Sequence, residues 1–148
     1  MPEFLAPWIL PAHFASTWAM VGILWMVQIV QYPLFAQVGS GSFDAFHARY
    51  LRSTTWVVGP FMLLESATAV ALLYARPEWM PQASVFANLA GIFLQWTATA
   101  LFSVPMHRRL ERSFDERAQR FLVRSNWVRT WTWSARGLLL AWWLTLAI

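Results

Sequence analysis

Three histidines, one acidic residue and a run of amides, guanidiniums and indoles carry whatever chemistry this chain performs. His47 and His107 fall at corresponding ends of two apolar stretches, while His13 lies at the opposite end of a third. A His47–His107 pair could relay protons or ligate haem or a metal ion. The plainer reading is two interfacial imidazoles bonded to backbone or arginine. No HxxxH or HExxH spacing points to a metal, and no cofactor is specified. The segment Asn126-Trp127-Val128-Arg129-Thr130-Trp131-Thr132-Trp133-Ser134-Ala135-Arg136 is the densest polar and aromatic stretch. On a helix, Asn126, Arg129, Trp133 and Arg136 share one face. That face could hold a carbonyl, phenolate or carboxylate of an apolar ligand. The competing reading is that Arg129 snorkels to phosphate and the indoles form an interfacial belt.

The elements that must position these groups are membrane helices. The chain of 148 residues is 58% hydrophobic and only 12% charged, against about 25% charged in soluble proteins. A soluble domain of this size cannot hide so much apolar side chain. The 11 Trp fit the membrane–water interface. Cys is absent, which excludes disulfides, thiolate metal sites and Cys nucleophiles. All basic residues are Arg, and they flank apolar spans, so lipid head groups rather than nucleic acid are the expected partners.

A span needs roughly 20 apolar residues. Four segments qualify: about Trp8–Phe35, Thr55–Tyr74, Ser84–Val104 and Trp127–Ile148. Arg49, Arg52, Arg108, Arg109, Arg112, Arg117, Arg120 and Arg124 lie in the first and third links, whereas Arg76 is alone in the second. The positive-inside rule places the arginine-rich links in the cytoplasm and both termini on the outer side. Each of these links reads as an amphipathic surface helix. Ser42 is positioned to cap the first, running to about Ser53, and Leu110, Phe114, Ala118, Phe121 and Leu122 form one face of the second.

An internal repeat runs through the chain. At a constant offset of 71, Ser42, Phe43, Asp44, Arg49, Leu51, Trp56 and Val57 match Ser113, Phe114, Asp115, Arg120, Leu122, Trp127 and Val128. The expected fold is therefore all-α, a single membrane domain over 1–148. It is a four-helix bundle of two like-oriented units, about 8–75 and 83–148, with the two surface helices on its cytoplasmic side. The same offset pairs Glu65 with Arg136, each about ten residues into its span. Charges at that depth must face inward and pair, so a Glu65–Arg136 contact is expected. Gln28, Gln31, Asn88 and Gln95 are the remaining buried-polar candidates.

Several short motifs carry a resemblance. Gln31-Tyr32-Pro33-Leu34-Phe35, Phe46-His47, Pro60 with Glu65, Pro105-Met106-His107-Arg108-Arg109-Leu110, and Asn126-Trp127-Val128-Arg129-Thr130 with Trp133 and Arg136 resemble small bacterial four-span proteins of unknown function. More distantly, the Pro-x-polar-x-x-Leu turn and the Arg129-Thr130 pair are similar to the anthrone-oxygenase-like family, which typically has Asn where His107 stands. Some members of that family oxidise polycyclic phenols. The resemblance implies a bacterial inner-membrane protein with an internal ligand site near His107, Asn126 and Arg129.

These readings leave three functions open. One is a polar intramembrane pocket that binds or oxidises an apolar aromatic or quinone-like molecule. There His47 and His107 move protons, Glu65 holds Arg136, and Asn126, Arg129, Trp133 and Arg136 bind the ligand. The second is a non-catalytic accessory subunit with a membrane-protein partner or a second copy of itself. The third is a small transporter or channel.

Overall fold

The computed structural model describes residues 3–145. Every regular element among them is helical. Three helices are long and apolar enough to cross a membrane: α1 (Ala6–Gln37), α2 (Phe43–Ala75) and α3 (Gln82–Leu110). A fourth long helix, α4 (Glu116–Thr145), packs lengthwise against α1 and α3. It carries Arg117, Arg120, Arg124, Arg129 and Arg136 and is less apolar than the other three. The last three residues of the expected fourth span lie outside the described residues.

The surface of these helices is unlike that of a water-soluble protein. Trp56, Leu63, Tyr74, Phe93, Leu101 and Leu138 point outward, with Trp56 79% exposed. Meanwhile His13, Gln28, His47, Glu65, Asn88, Gln95, Asn126, Arg129 and Arg136 are buried. Apolar outside and polar inside is the arrangement a bilayer selects, since lipid solvates leucine and tryptophan but not charges.

Along the helices the interior alternates. At one end Ile9, Leu72, Met80, Val85, Leu140 and Trp143 pack together. In the middle Met20, Val21, Leu24, Met62 and Trp133 do so. At the arginine-rich end the cluster is Val27, Tyr32, Phe35, Phe43, Leu110, Ala118 and Leu122. The buried polar groups lie in two intervals, one between the first two clusters and one that reaches from the middle cluster into the arginine-rich end, where Phe35 and Phe43 wall His47. At the crossing of α1 and α4, Gly137 lets the backbones approach: a Cβ there would press on Val21 and Trp18.

Two sequence expectations are corrected. The segment from Ser42 to Ser53 is not a separate surface helix; it is the first part of α2, a continuous helix of 33 residues. Nothing between Ser53 and Trp56 stops a helix, and Phe43 and His47 are buried against protein rather than lying along lipid. The second surface helix is likewise absent among the described residues. Leu110 ends α3, residues 111–115 form a turn, and the remainder continues as α4, leaving Phe121 exposed. Neither Pro33 nor Pro105 ends its helix. A proline lacks the N–H for an i−4 bond, and its ring clashes with that carbonyl. Here each proline comes after a wide π-helical turn, Val27–Gln31 or Thr99–Ser103. Tyr32 N–H donates to Val27 O and Val104 N–H to Thr99 O, so each helix passes its proline unbroken.

Other ends are set by the sequence directly. Arg76, preceding Pro77, is extended, and α2 stops at Ala75. The Arg76 guanidinium donates to Met80 O at 2.6 Å and ties that turn. Ser42 occupies the N-cap position of α2, but its hydroxyl makes no capping bond. Asp115 does cap α4, accepting from Arg117 N–H (2.8 Å) and Ala118 N–H (3.0 Å) through Oδ1, while Oδ2 meets Arg109 Nε at 2.7 Å.

The Ala118 N–H foremost, and Arg109 beside it, hold the Asp115 carboxyl below its ordinary value of 3.8. A depressed folded pKa contributes stability above the unfolded value, lost as pH falls through the folded one. Hydrogen-exchange protection of the Arg117 and Ala118 amides should therefore fall below pH 3.8. In Asp115→Ala it should be low at every pH. Unchanged protection in that variant would show that the cap is not what orders the start of α4.

Candidate functional site

The first polar interval centres on Glu65. Its carboxylate is 2% exposed, and both oxygens accept hydrogen bonds from neighbouring helices. Oε1 accepts from Thr17 Oγ1 of α1 and from Arg136 Nη1 of α4, both at 2.7 Å, and Oε2 accepts from Trp133 Nε1 at 2.9 Å. The Glu65–Arg136 contact expected from the repeat offset is thus a direct ion pair. Helix α3 completes the cluster: Arg136 Nε donates to Asn88 Oδ1 (2.8 Å) and Nη1 to Gln95 Oε1 (2.7 Å).

The chain of bonds continues to His13. Thr68 Oγ1 donates to the Leu64 carbonyl, so it accepts from His13 Nδ1–H at 2.8 Å. His13 Nε2 is then the acceptor for Asn88 Nδ2 at 2.6 Å. Spacing explains the convergence. His13 and Thr17 on α1, and Asn88 and Gln95 on α3, recur at helical intervals on one face. Gly91 lies between the two α3 amides, where a Cβ would collide with Arg136 Cδ.

The second polar interval is at the arginine-rich end. His47 Nε2 and His107 Nδ1 meet at 3.1 Å, and His107 Nε2 meets Tyr32 Oη at 3.2 Å. The π turn ending at Gln31 sets Tyr32 on the inner face, and the matching turn ending at Ser103 does the same for α3. Phe43 stacks on His47 with 5.4 Å between centroids, while Phe35 meets it edge-on. Both walls fix the imidazole plane. Beside this chain, Asn126 Nδ2 donates to Gln28 Oε1 at 2.9 Å, and Arg129 Nη1 makes long bonds to Asn126 Oδ1 (3.3 Å) and Ser103 Oγ (3.4 Å).

A cavity of about 660 Å³ opens here. Ile23, Leu24, Val27, Val58, Met62 and Trp96 form apolar walls. Tyr32, Tyr50, Ser103, His107 and Arg129 supply its inner polar groups. Arg129 is 7% exposed, its Nε has no hydrogen-bond partner, and it belongs to none of the ion pairs among the described residues. Those pairs are Arg109–Asp115, Arg120–Glu116 and Arg136–Glu65. Arg129 is therefore a buried cation without a counter-ion, facing an apolar cavity.

The helical face holding the sequence-derived candidates Asn126, Arg129, Trp133 and Arg136 is buried throughout. Of all the candidates only Arg129 and His107 reach the cavity; His47 stands behind His107, and Asn126 supports Arg129. Trp133, Arg136 and Glu65 belong to the other interval and do not line it. Trp133 joins the two intervals, donating to Glu65 with its indole while the Arg129 guanidinium lies 5.4 Å from its ring centroid. Tyr32, Tyr50 and Ser103 were not among the site residues read from sequence. The motifs Gln31-Tyr32-Pro33-Leu34-Phe35 and Pro105-Met106-His107 include Tyr32 and lie beside Ser103 in the sequence, but nothing in the sequence marked Tyr50. No three His, Cys, Asp or Glu cluster as a metal site among the described residues.

The chain matches no protein-family model, no curated protein and no solved structure.

Removing one member of the Glu65–Arg136 pair leaves the other charged and buried. Arg136→Met alone should lower stability by about 3–5 kcal/mol, and adding Glu65→Leu should cost less than the sum of the single changes. Gly91→Ala should cost roughly 1–3 kcal/mol by displacing Arg136, whereas Gly22→Ala meets nothing within 4 Å and should change little. Thermal unfolding in detergent distinguishes these, and strict additivity of the pair would show that the two side chains are not coupled.

Proposed function

We propose that the protein is a four-span membrane protein whose inner cavity binds an apolar aromatic or quinone-like molecule through a ring oxygen, and deprotonates it. The observation that carries this is the unpaired Arg129 guanidinium in an apolar cavity beside a hydrogen-bonded Tyr32–His107–His47 chain. A buried arginine without a carboxylate favours an anionic oxygen at that point. Deprotonation needs an acceptor for the proton, and the tyrosine and two imidazoles form one. A phenolic O–H gives its proton to Tyr32 Oη as Tyr32 gives its own to His107 Nε2. His107 then passes its Nδ1 proton to His47 Nε2, and the phenolate stays on Arg129. Loss of that proton is the step that precedes oxidation of a phenol or quinol, the chemistry implied by the anthrone-oxygenase-like resemblance. Asn126 and Ser103 orient the guanidinium, while the Glu65–Arg136 pair and Trp133 hold the wall behind it.

In this reading α4 is the fourth span and the arginine-rich end is cytoplasmic, with both termini on the outer face of a bacterial inner membrane. The internal repeat is supported by α1 and α3 each carrying a π turn just before a proline, and by α2 and α4 each succeeding them as an uninterrupted long helix. A pocket fits better than a channel. Trp133, Met20 and Leu24 fill the interior between the two polar intervals and interrupt any polar path along the bundle.

A lipophilic nitrophenol, whose absorbance changes on ionisation, tests the proposal directly. Bound to the wild-type protein, it should ionise at a lower pH than in empty micelles. Arg129→Gln should abolish that shift, and Tyr32→Phe should slow ionisation without weakening binding more than a few-fold. The surface change Arg120→Gln should alter neither. Equal ionisation on wild type and Arg129→Gln would sink the proposal.

A further inference from the structure

The cavity holds more positive charge than one ring oxygen requires. Besides Arg129 on its buried wall, Arg52 of α2 and Arg108 of α3 line its outer part. Both are exposed, and neither takes part in an ion pair among the described residues. Glu111 is the one acidic residue on the lining. The three arginines therefore leave a net positive cavity whose walls are apolar, in a chain where Arg109, Arg120 and Arg136 each have a carboxylate partner.

The charges are separated along the helices. The lining of α2 continues inward past Arg52 as far as Met62, while Arg129 meets Ser103 of α3, roughly 7.5 Å along the helix from Arg108 at 1.5 Å per residue. Inward of Arg52 the groups facing the cavity are Thr54, Thr55, Val58 and Gly59 from α2, and Leu24 and Val27 from α1. On the other side α3 contributes Trp96, Thr99 and Val104. A molecule that satisfies these groups has an acidic group where Arg52 and Arg108 flank the opening, an oxygen within reach of Arg129, and an apolar body against the walls that run inward to Met62 and Trp96. Arginine suits such a head group because its planar fork pairs with carboxylate and phosphate oxygens alike.

We propose that the occupant of this cavity is an anionic amphiphile, an apolar body whose carboxylate or phosphate head is held between Arg52 and Arg108. This rests on the pocket reading above and specifies its ligand class. The head group anchors the molecule at the level of lipid head groups, so it enters from the adjacent leaflet with its acid at the water boundary and its body directed inward.

Two probes separate this inference from the reading beneath it: a neutral alkyl nitrophenol, and the same nitrophenol with a terminal carboxylate on its chain. Wild-type protein in nanodiscs of neutral phospholipid should bind the carboxylated probe at least about tenfold more tightly. Arg52→Gln/Arg108→Gln should remove that preference and leave affinity for the neutral probe unchanged. Both substitutions are on exposed side chains, so the variant keeps its core. Added anionic phospholipid that competes with the carboxylated probe assigns the head group to a membrane lipid, and absence of competition assigns it to a diffusible amphiphile. Equal binding of the two probes by wild type, or a preference that survives in the double variant, overturns the amphiphile proposal while the ring-oxygen site stands. If neither probe's binding depends on Arg129, both fall together.

Discussion

A carboxylate in the middle of an apolar chain has to be neutralised, and Glu65 is neutralised by contacts from three other helices at once. Thr17, Trp133 and Arg136 bring α1 and α4 to it directly, and Asn88 and Gln95 bring α3 to it through Arg136. Packing apolar helices in lipid has little directional preference, since acyl chains are as apolar as leucine. A charge pair with a full set of hydrogen bonds does have direction, because each donor must reach a particular oxygen. The pair therefore sets which faces of the four long helices meet and at what register. Gly91 shows how closely the fit is drawn, since the space a methyl would take is used by the Arg136 side chain.

The second buried arginine behaves differently. Arg136 and Arg129 lie two helical turns apart on one face of α4, in similar burial. Arg136 finds a carboxylate; Arg129 finds only amide and hydroxyl oxygens at long range and a tryptophan face. Desolvating a guanidinium without a counter-charge is costly. The function proposed for the adjoining cavity rests on this, with an anionic oxygen of the ligand supplying the missing charge.

The two π turns connect backbone geometry to this site. Prolines at 33 and 105 would ordinarily end or kink a helix, and a wide turn ahead of each lets the chain continue. The widening rotates the remainder of each helix about its axis, so Tyr32 and Ser103 face inward and His107 comes within reach of both Tyr32 and His47. A regular helix at either place would point these groups elsewhere, because one extra residue per turn shifts the facing side by about 100°.

Composition and residue order by themselves determined that the chain is helical and suited to lipid. They also determined that Asn126, Arg129, Trp133 and Arg136 share a buried face and that Glu65 pairs with Arg136, since apolar length, helical period and the cost of lone charges are local or nearly local rules. Tertiary structure alone decided that the expected surface helices are continuations of α2 and α4. It also decided that α1 and α3 run through Pro33 and Pro105 and that Tyr32, Ser103 and Arg129 line one cavity while Trp133 and Arg136 turn away from it. Those outcomes depend on which donor reaches which acceptor across helices, and a linear order of residues holds no distances between segments that touch only after folding.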